Sequence, residues 1–568
     1  MTERGDKAAQ VCGTLPILAL MVWGEAKNPR EATLALGNDA TCYILRGASL
    51  KSEPLARLLS SQQLKVAYDA KSAQRILAFF GVKLDYIIDI GANDALIVNG
   101  AQKPGDDPFP QWYELVRKSI SKLPREGSRT YGAPPPRTPT DELAAGELAL
   151  CYETFLSQVS RIKALDLATV SQIEGNAAPA LGDIEYAGIH IDVAKLDVLI
   201  KDLRDKNKNY QSKLDAIFSP LLEKDLFGKV EVSYDNDSQV QNLAKKLGVK
   251  IFNFKKESLL DLNHPLGELL WNFRETGRQF SLFTKFKEFL DDQNRVHPLF
   301  HAFGAATGRI AVSNPNVQGI PKDDFHRRVF SAPEGRVIIT ADYATFEMRI
   351  LAQASGDPKL IASLAEGKDF HSAVASAVFK TEVTREKNPL LRSRAKVMNF
   401  GVCYGMTPQG LARELRLSLA EAEELLNRYF AAMPLVKSYL EESAETALRT
   451  GESRTLSGRR LVLNVPNATD ETEKAQAVRI AKNMPIQGTN ADILKIALAR
   501  LRRAFAEKSP QSKVINCIHD EIVVEAPEES AEESAEILRE QMIKAAERFI
   551  TVVPIEVDVK TGNFWGGK

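Results

Sequence analysis

The chain has 568 residues, 44% hydrophobic and 26% charged, the balance of a soluble globular protein with enough chain for three or four domains. Its 74 basic and 74 acidic residues cancel, so a polyanionic partner must be gripped by local patches and not by a global field. Five scattered cysteines with no CxxC pair argue for a reducing compartment, and against a disulfide framework or structural zinc. The longest apolar run, Leu15–Trp23, is too short to span a bilayer and lacks the flanks of a signal peptide. A cytoplasmic protein without a targeting signal or membrane partner is expected.

Taken in order, the first 165 or so residues read as a small α/β domain. Ile17–Val22, Thr33–Leu36, Thr41–Leu45 and Leu64–Tyr68 have strand character, and Ala70–Phe80 has helical spacing. Eight prolines between Gln102 and Thr140 predict a long surface segment, after which Leu143–Leu165 is helical again. Ile189–Leu290 is predicted mostly helical. Its lysines on Asp192–Leu222, and again at 245–256, suit either a solvated face or an arm gripping a phosphate backbone. Next come a strand Arg336–Ala341 ending in Asp342, helices Asp369–Phe379 and Arg392–Tyr404, and longer helical stretches at Leu419–Thr450 and Glu473–Asn483. Val514–Glu525 places two β-branched runs around His519-Asp520-Glu521, predicting a hairpin with those three residues at its tip.

Four groupings carry chemistry. Asp342 and Asp520 both stand at strand ends, where converging carboxylates would hold divalent cations for an in-line phosphoryl displacement. Arg392, Lys396, Phe400 and Tyr404 recur every four residues, drifting about 40° per step and so sharing one broad helix side. Two cations followed by two aromatics suit a ligand with a triphosphate end and a flat base end. Arg479, Asn483 and Gln487 repeat the same interval, although Pro485 is expected to interrupt the helix before the last. Such donors suit acceptors common to every base pair in a minor groove. Thr307-Gly308-Arg309 and Asn316-Val-Gln318 lie on loops able to meet phosphates or base edges.

Together these residues resemble the family A DNA polymerases of the polymerase I type, over roughly 168–568. Asp342-Tyr343-Ala-Thr-Phe-Glu347-Met-Arg349 resembles motif A. Arg392-x-x-x-Lys396-x-x-Asn399-Phe400-Gly401-x-x-Tyr404-Gly405 resembles motif B, and His519-Asp520-Glu521 resembles motif C. Asp369-Phe-His371, Gly458-Arg-Arg460, Met484-Pro-Ile-Gln487-Gly488-Thr489 and Gly562-Asn-Phe-Trp565 add to the match. The resemblance implies an α+β right-hand fold: thumb over 168–300, palm over 301–370 and 485–568, fingers over 371–484. It also implies an N-terminal ribonuclease-H-like exonuclease-type domain over 1–167.

Carried over residue by residue, Asp342, Asp520 and the Tyr343 backbone carbonyl would hold two magnesium ions, with manganese as a substitute, and Glu521 would be a supporting acid. Arg392, Lys396 and His371 would hold the triphosphate, with Lys396 protonating the departing pyrophosphate. Phe400 and Tyr404 would frame base and sugar, and Glu347 would reject ribose, locked by a Tyr404 hydrogen bond. Arg309, Asn316, Gln318, Arg479, Asn483, Gln487 and His519 would touch primer-template DNA. The implied partners are that DNA and deoxynucleoside triphosphates, for a monomer, nucleoid-associated if bacterial.

Departures are specific. The family's usual Ser-Gln-Ile within motif A is Ala344-Thr345-Phe346 here, and Gly319 replaces the usual Asn after Gln318. The proofreading domain of the family needs an Asp-x-Glu pair, a middle Asp and a late Tyr-x-x-x-Asp. Here Trp23 stands two residues before Glu25, only Asp69 fits, and Tyr131 and Tyr152 lead to Pro135 and Leu156. A lone carboxylate cannot assemble a two-metal site, so this domain is read as an inactive relic, with no flap-cutting nuclease expected beside it. A single-subunit RNA polymerase and a DNA-binding protein with a dead palm are the competing readings. Glu347 argues against the first, and Asp342, Lys396 and Asp520 against the second.

Overall fold

The computed structural model describes residues 3–25, 28–99, 138–221, 232–365, 369–463 and 470–567. The proline-rich stretch Gln102–Thr140 lies almost wholly outside them. The chain folds as two units: Met1–Ala187 with Phe300–Ala311 and Ile339–Thr561, and Gly188–Leu299 with Val312–Ile338 and Gly562–Lys568.

The larger unit opens on a five-stranded sheet. Its spatial order is Cys42–Arg46, Asn28–Gly37, Ile17–Glu25, Leu64–Ala67, Ile87–Asp89. The first three strands are antiparallel and the last two join in parallel. Ile17–Glu25 is central and covered on both faces, which is why it reads as an unbroken apolar run rather than an alternating one. Leu18, Leu20 and Val22 point toward helices Glu3–Cys12, Glu53–Ser60 and Ala70–Leu77. Ala19, Met21 and Trp23 point toward helix Asp141–Ala164.

A second sheet, of four strands, runs Lys513–Ile518, Glu521–Pro527, Arg336–Tyr343, Val557–Gly562. Helices Ala531–Ala546 and Glu471–Lys508 accompany it. The latter is 38 residues long and passes through Pro485. The expected interruption there does not occur. A proline within a helix strands the carbonyl four residues earlier; here the Ser453 hydroxyl donates to the Ala481 carbonyl at 3.3 Å, replacing the missing N–H. The stretch Leu419–Thr450, expected as one helical segment, is two helices, Leu419–Ala432 and Pro434–Thr450. They part at Met433, which a following proline pushes out of helical geometry.

A buried charge quartet ties two helices and a turn together. Glu174, on helix Ala168–Ala187, accepts from Lys495 at 2.6 Å and also pairs with Arg459. Arg459 in turn reaches Asp492 at 2.6 Å. All four residues are essentially inaccessible. Two positive and two negative charges cancel there, the condition under which ions tolerate a dry interior.

In the smaller unit, helices Val193–Phe218 and Pro265–Glu288 pack together over a core that includes Leu214, Phe218, Tyr234, Leu266 and Leu270. Trp565, from the terminal motif, meets Phe330 edge-on at 5.5 Å and lies under the Arg327 guanidinium at 4.0 Å.

Candidate active site

The second sheet presents both strand-end aspartates. Asp342 lies next to the end of strand Arg336–Tyr343, and Asp520 on the two-residue hairpin that follows Ile518. Glu521 was expected at the tip; it instead starts the next strand, pairs with Ile518 and is buried. His519 takes φ +57, at a turn position that favours glycine, and is solvent-exposed. The strand beginning at Glu521 is the sheet neighbour of the one bearing Asp342. Burial first, then the Asp520 charge, push the Tyr343 phenol well above its ordinary pKa, which puts Asp520 within electrostatic reach of the residue beside Asp342.

Tyr343 is locked in place. Its hydroxyl donates to the Met542 carbonyl at 2.7 Å and its ring stacks on Phe346, centroids 3.9 Å apart. Phe346, one of the three departures in motif A, thus closes the strand end with an aromatic stack. Thr345 takes φ +50, an uncommon conformation for a β-branched residue, and makes no side-chain cap. Buried Arg349 holds this turn, donating to the Ala344 carbonyl at 2.9 Å and pairing with Glu556 at 2.9 Å.

The turn aims Glu347 at two partners. Tyr404 donates to its Oε1 at 2.9 Å, as expected, and Arg309 donates to the same oxygen at 2.8 Å, which was not. Arg309 follows Gly308, whose φ is +84 and whose missing Cβ would fall 2.7 Å from the Arg459 side chain. A side chain there would clash with the buried quartet.

Helix Pro389–Cys403 carries the predicted stripe. Ala395, Met398, Asn399, Val402 and Cys403 face inward. Lys396, Phe400 and Tyr404 are exposed and line a cavity of about 570 Å³ with Arg479 and Arg413. Arg392 is pinned by Asp369 through two hydrogen bonds, 2.7 and 3.0 Å. His371 sits 5.8 Å from the Phe400 ring. Burial, then the Arg392 and Lys396 charges, push its pKa down to about 4, so it is neutral near pH 7. The Asn399 amide lies 3.1 Å from Nδ1; with that amide donating, the ring proton sits on Nε2.

Arg479, Asn483 and Gln487 share helix Glu471–Lys508 and pass from exposed Arg479 to buried Gln487. Asn316 and Gln318 belong to the smaller unit, where the Asn316 side chain accepts from the Gln318 N–H at 3.0 Å. In the first domain, Asp69 is 2% exposed and accepts from the Ser72 N–H as a helix cap. Asp89 is likewise occupied by the N–H groups of Asp69, Ala70, Gly91 and Ala92.

The sequence model of DNA polymerase family A matches residues 201–567. The chain belongs to DNA polymerase family A. Among its relatives, DNA polymerase I of Caldicellulosiruptor bescii is 32% identical, the match covering 69% of this chain and 46% of that protein. The thermostable DNA polymerase I of Thermus aquaticus is 31% identical, over 81% of this chain and 55% of its own. The chain thus spans about half the length of the curated relatives it matches. The fold is shared with the POL domain of Pol1 from M. smegmatis, solved with DNA primer-template and dNTP. The TM-score is 0.78 at 24% identity, over 100% of this chain and 98% of that one.

Family A membership implies divalent metals, and the donor set suits magnesium. Asp342 and Asp520 are partly open carboxylates, and among the described residues no three acidic, histidine or cysteine side chains form a metal-binding group. Magnesium takes one or two carboxylates and completes its shell with water and substrate phosphate, a demand that two strand-end aspartates can meet. One residue and one contact escape sequence reading, Asp369 and the bond from Arg309 to Glu347. Asp369 was quoted within a motif but given no role, and Arg309 was assigned to DNA alone. The signal in each case is an opposite charge on a distant segment, which spacing does not reveal. Among the described residues no helix is long and apolar enough to cross a membrane.

Proposed function

We propose that this chain is a template-directed DNA polymerase that adds deoxynucleotides to a primer 3' end. The observation that carries the reading is the cation-to-aromatic stripe of Lys396, Phe400 and Tyr404 on an open cavity, with Tyr404 bonded to the Glu347 carboxylate five residues after Asp342. Triphosphate would lie against Arg392, Lys396 and neutral His371, with base and sugar against Phe400 and Tyr404. Neutral His371 would donate from Nε2, and Lys396 would deliver a proton to the leaving pyrophosphate. Asp342, Asp520 and the Tyr343 carbonyl would hold two magnesium ions, or manganese. Bound there, the ions would supply charge stabilisation for the attacking and leaving oxygens. Glu521 is the supporting acid. Arg309, Asn316, Gln318, Arg479, Asn483, Gln487 and His519 are the proposed DNA contacts, in a protein acting as a monomer.

In this reading residues 301–370 and 485–568 are palm and 371–484 fingers. The thumb is assigned by resemblance to 168–300, of which helix Ala168–Ala187 packs within the larger unit and Gly188–Leu299 within the smaller. The first domain is a ribonuclease-H-like relic without proofreading. What supports this is its strand arrangement, three antiparallel strands followed by two parallel, and the local employment of Asp69 and Asp89. Displacement of a downstream strand during synthesis belongs to the same reading. The deciding experiment extends a labelled primer, matched or 3'-mismatched, with magnesium and either sugar type. Template-dependent deoxynucleotide addition without primer shortening is expected. No extension at all would leave a DNA-binding protein with a dead palm.

A further inference from the structure

Asp369 breaks a local rule. It occupies the N-cap position of helix Phe370–Phe379, where an aspartate normally accepts a backbone N–H from the first turn, yet its side chain makes no cap bond. The carboxylate turns instead to Arg392, taking Nε on one oxygen and a terminal nitrogen on the other. The Ser372 hydroxyl donates to it at 2.8 Å, and Arg385 approaches at 3.4 Å. The hydrogen bonds from Arg392, above all, hold the carboxyl far below its ordinary pKa, so it stays ionised throughout any working pH.

We infer that Asp369 is a positioning residue for nucleotide binding: it clamps one edge of the Arg392 guanidinium so that the opposite edge faces the triphosphate. A guanidinium has five donors in a rigid plane, and two carboxylate bonds along one edge still leave Nη1 for a further acceptor. The Arg392 side chain is 22% exposed, so part of it meets solvent while two bonds from one edge set its orientation. An arginine with free torsions must lose them on meeting phosphate, and one already held does not. Asp369 and a triphosphate therefore occupy different edges of the same cation and do not compete. The sacrificed helix cap points the same way, since a carboxylate with only a structural task would satisfy its own helix.

The inference rests on Arg392 being a triphosphate ligand. Single-turnover insertion would be measured for wild type, Asp369→Asn, Arg392→Ala and the double variant, with deoxynucleotide concentration varied at saturating primer-template. Asp369→Asn is expected to weaken apparent nucleotide affinity about tenfold, the scale of one well-made charge-assisted bond, while the rate at saturating nucleotide changes less than about threefold. In the Arg392→Ala background Asp369→Asn should have no further effect, and Asp369→Glu should recover part of the loss. Unchanged or tighter nucleotide binding in Asp369→Asn overturns the inference. So does an equal loss in both backgrounds, which marks a merely structural residue. If Arg392→Ala alone leaves nucleotide affinity unchanged, the assignment of Arg392 itself is wrong, an outcome the single variant distinguishes.

Discussion

Tyr404 and Arg309 meet on one oxygen: the phenol donates to Glu347 Oε1 at 2.9 Å and the guanidinium reaches it at 2.8 Å. The carboxylate is thereby fixed from the end of helix Pro389–Cys403 and from the Gly308–Arg309 loop. An apolar pocket rejects an added hydroxyl only about a hundredfold, and a fixed carboxylate adds a clash. Glu347→Ala should raise ribonucleotide insertion relative to deoxynucleotide by about two orders of magnitude, and Tyr404→Phe by roughly tenfold. Single-turnover rates with matched sugars give both ratios. Unchanged ratios would remove Glu347 from sugar selection and revive the RNA polymerase reading.

Asp342→Asn and Asp520→Asn should each cut extension by about a thousandfold or more, while primer-template affinity changes little. In the proposed metal site their charge would act on the transition state far more than on the bound duplex. Rapid-quench extension beside a fluorescence binding titration separates the two quantities, and near-normal turnover in either variant would refute the metal assignment.

His371 should make stability depend on pH. Its folded pKa of about 4 lies below the unfolded value near 6.5, so the unfolded chain binds more protons between those limits. Stability should therefore rise with pH from about 4 to about 6.5 and gain nothing more from this group above that. His371→Gln should flatten this part of the melting-temperature profile. An unaltered profile would show that the imidazole is not buried among cations as described.

Asp69→Ala should leave a 3'-mismatched primer as untouched as wild type does. It should still cost about 1 kcal/mol of stability, the value of a helix N-cap. Loss of a primer-shortening activity on this substitution would restore a working nuclease to the first domain.

Ser453→Ala should lower stability by about 1–2 kcal/mol, because the Ala481 carbonyl, denied the Pro485 N–H, would lose the hydroxyl that donates to it. Thermal melting of Ser453→Ala in a Pro485→Ala background checks the coupling. There the serine should matter less.

The sequence was most legible where period and chemistry coincide. Lys396, Phe400 and Tyr404 share a solvent-facing stripe because four-residue spacing keeps a helix side together, and the hairpin at His519-Asp520 follows from two β-branched runs. The helix through Pro485 was not legible, because the rescuing hydroxyl sits on Ser453, 28 residues from the carbonyl it serves. The Arg309 contact with Glu347, 38 positions apart, was hidden for the same reason. Tertiary partners override local punctuation, and one chain read alone does not display them.

The quartet around Arg459 also bears on how such an enzyme can be shortened. A fragment cut to the family match would start at 201 and discard Glu174. Arg459 and Lys495 would then face Asp492 with one unbalanced positive charge, in a site opened by loss of the covering helix. The helix Ala168–Ala187 thus supplies an anion, Glu174, to two cations that stand beyond residue 201. A fragment of this chain that keeps the charge balance has to include helix Ala168–Ala187, even where residues 1–167 are removed.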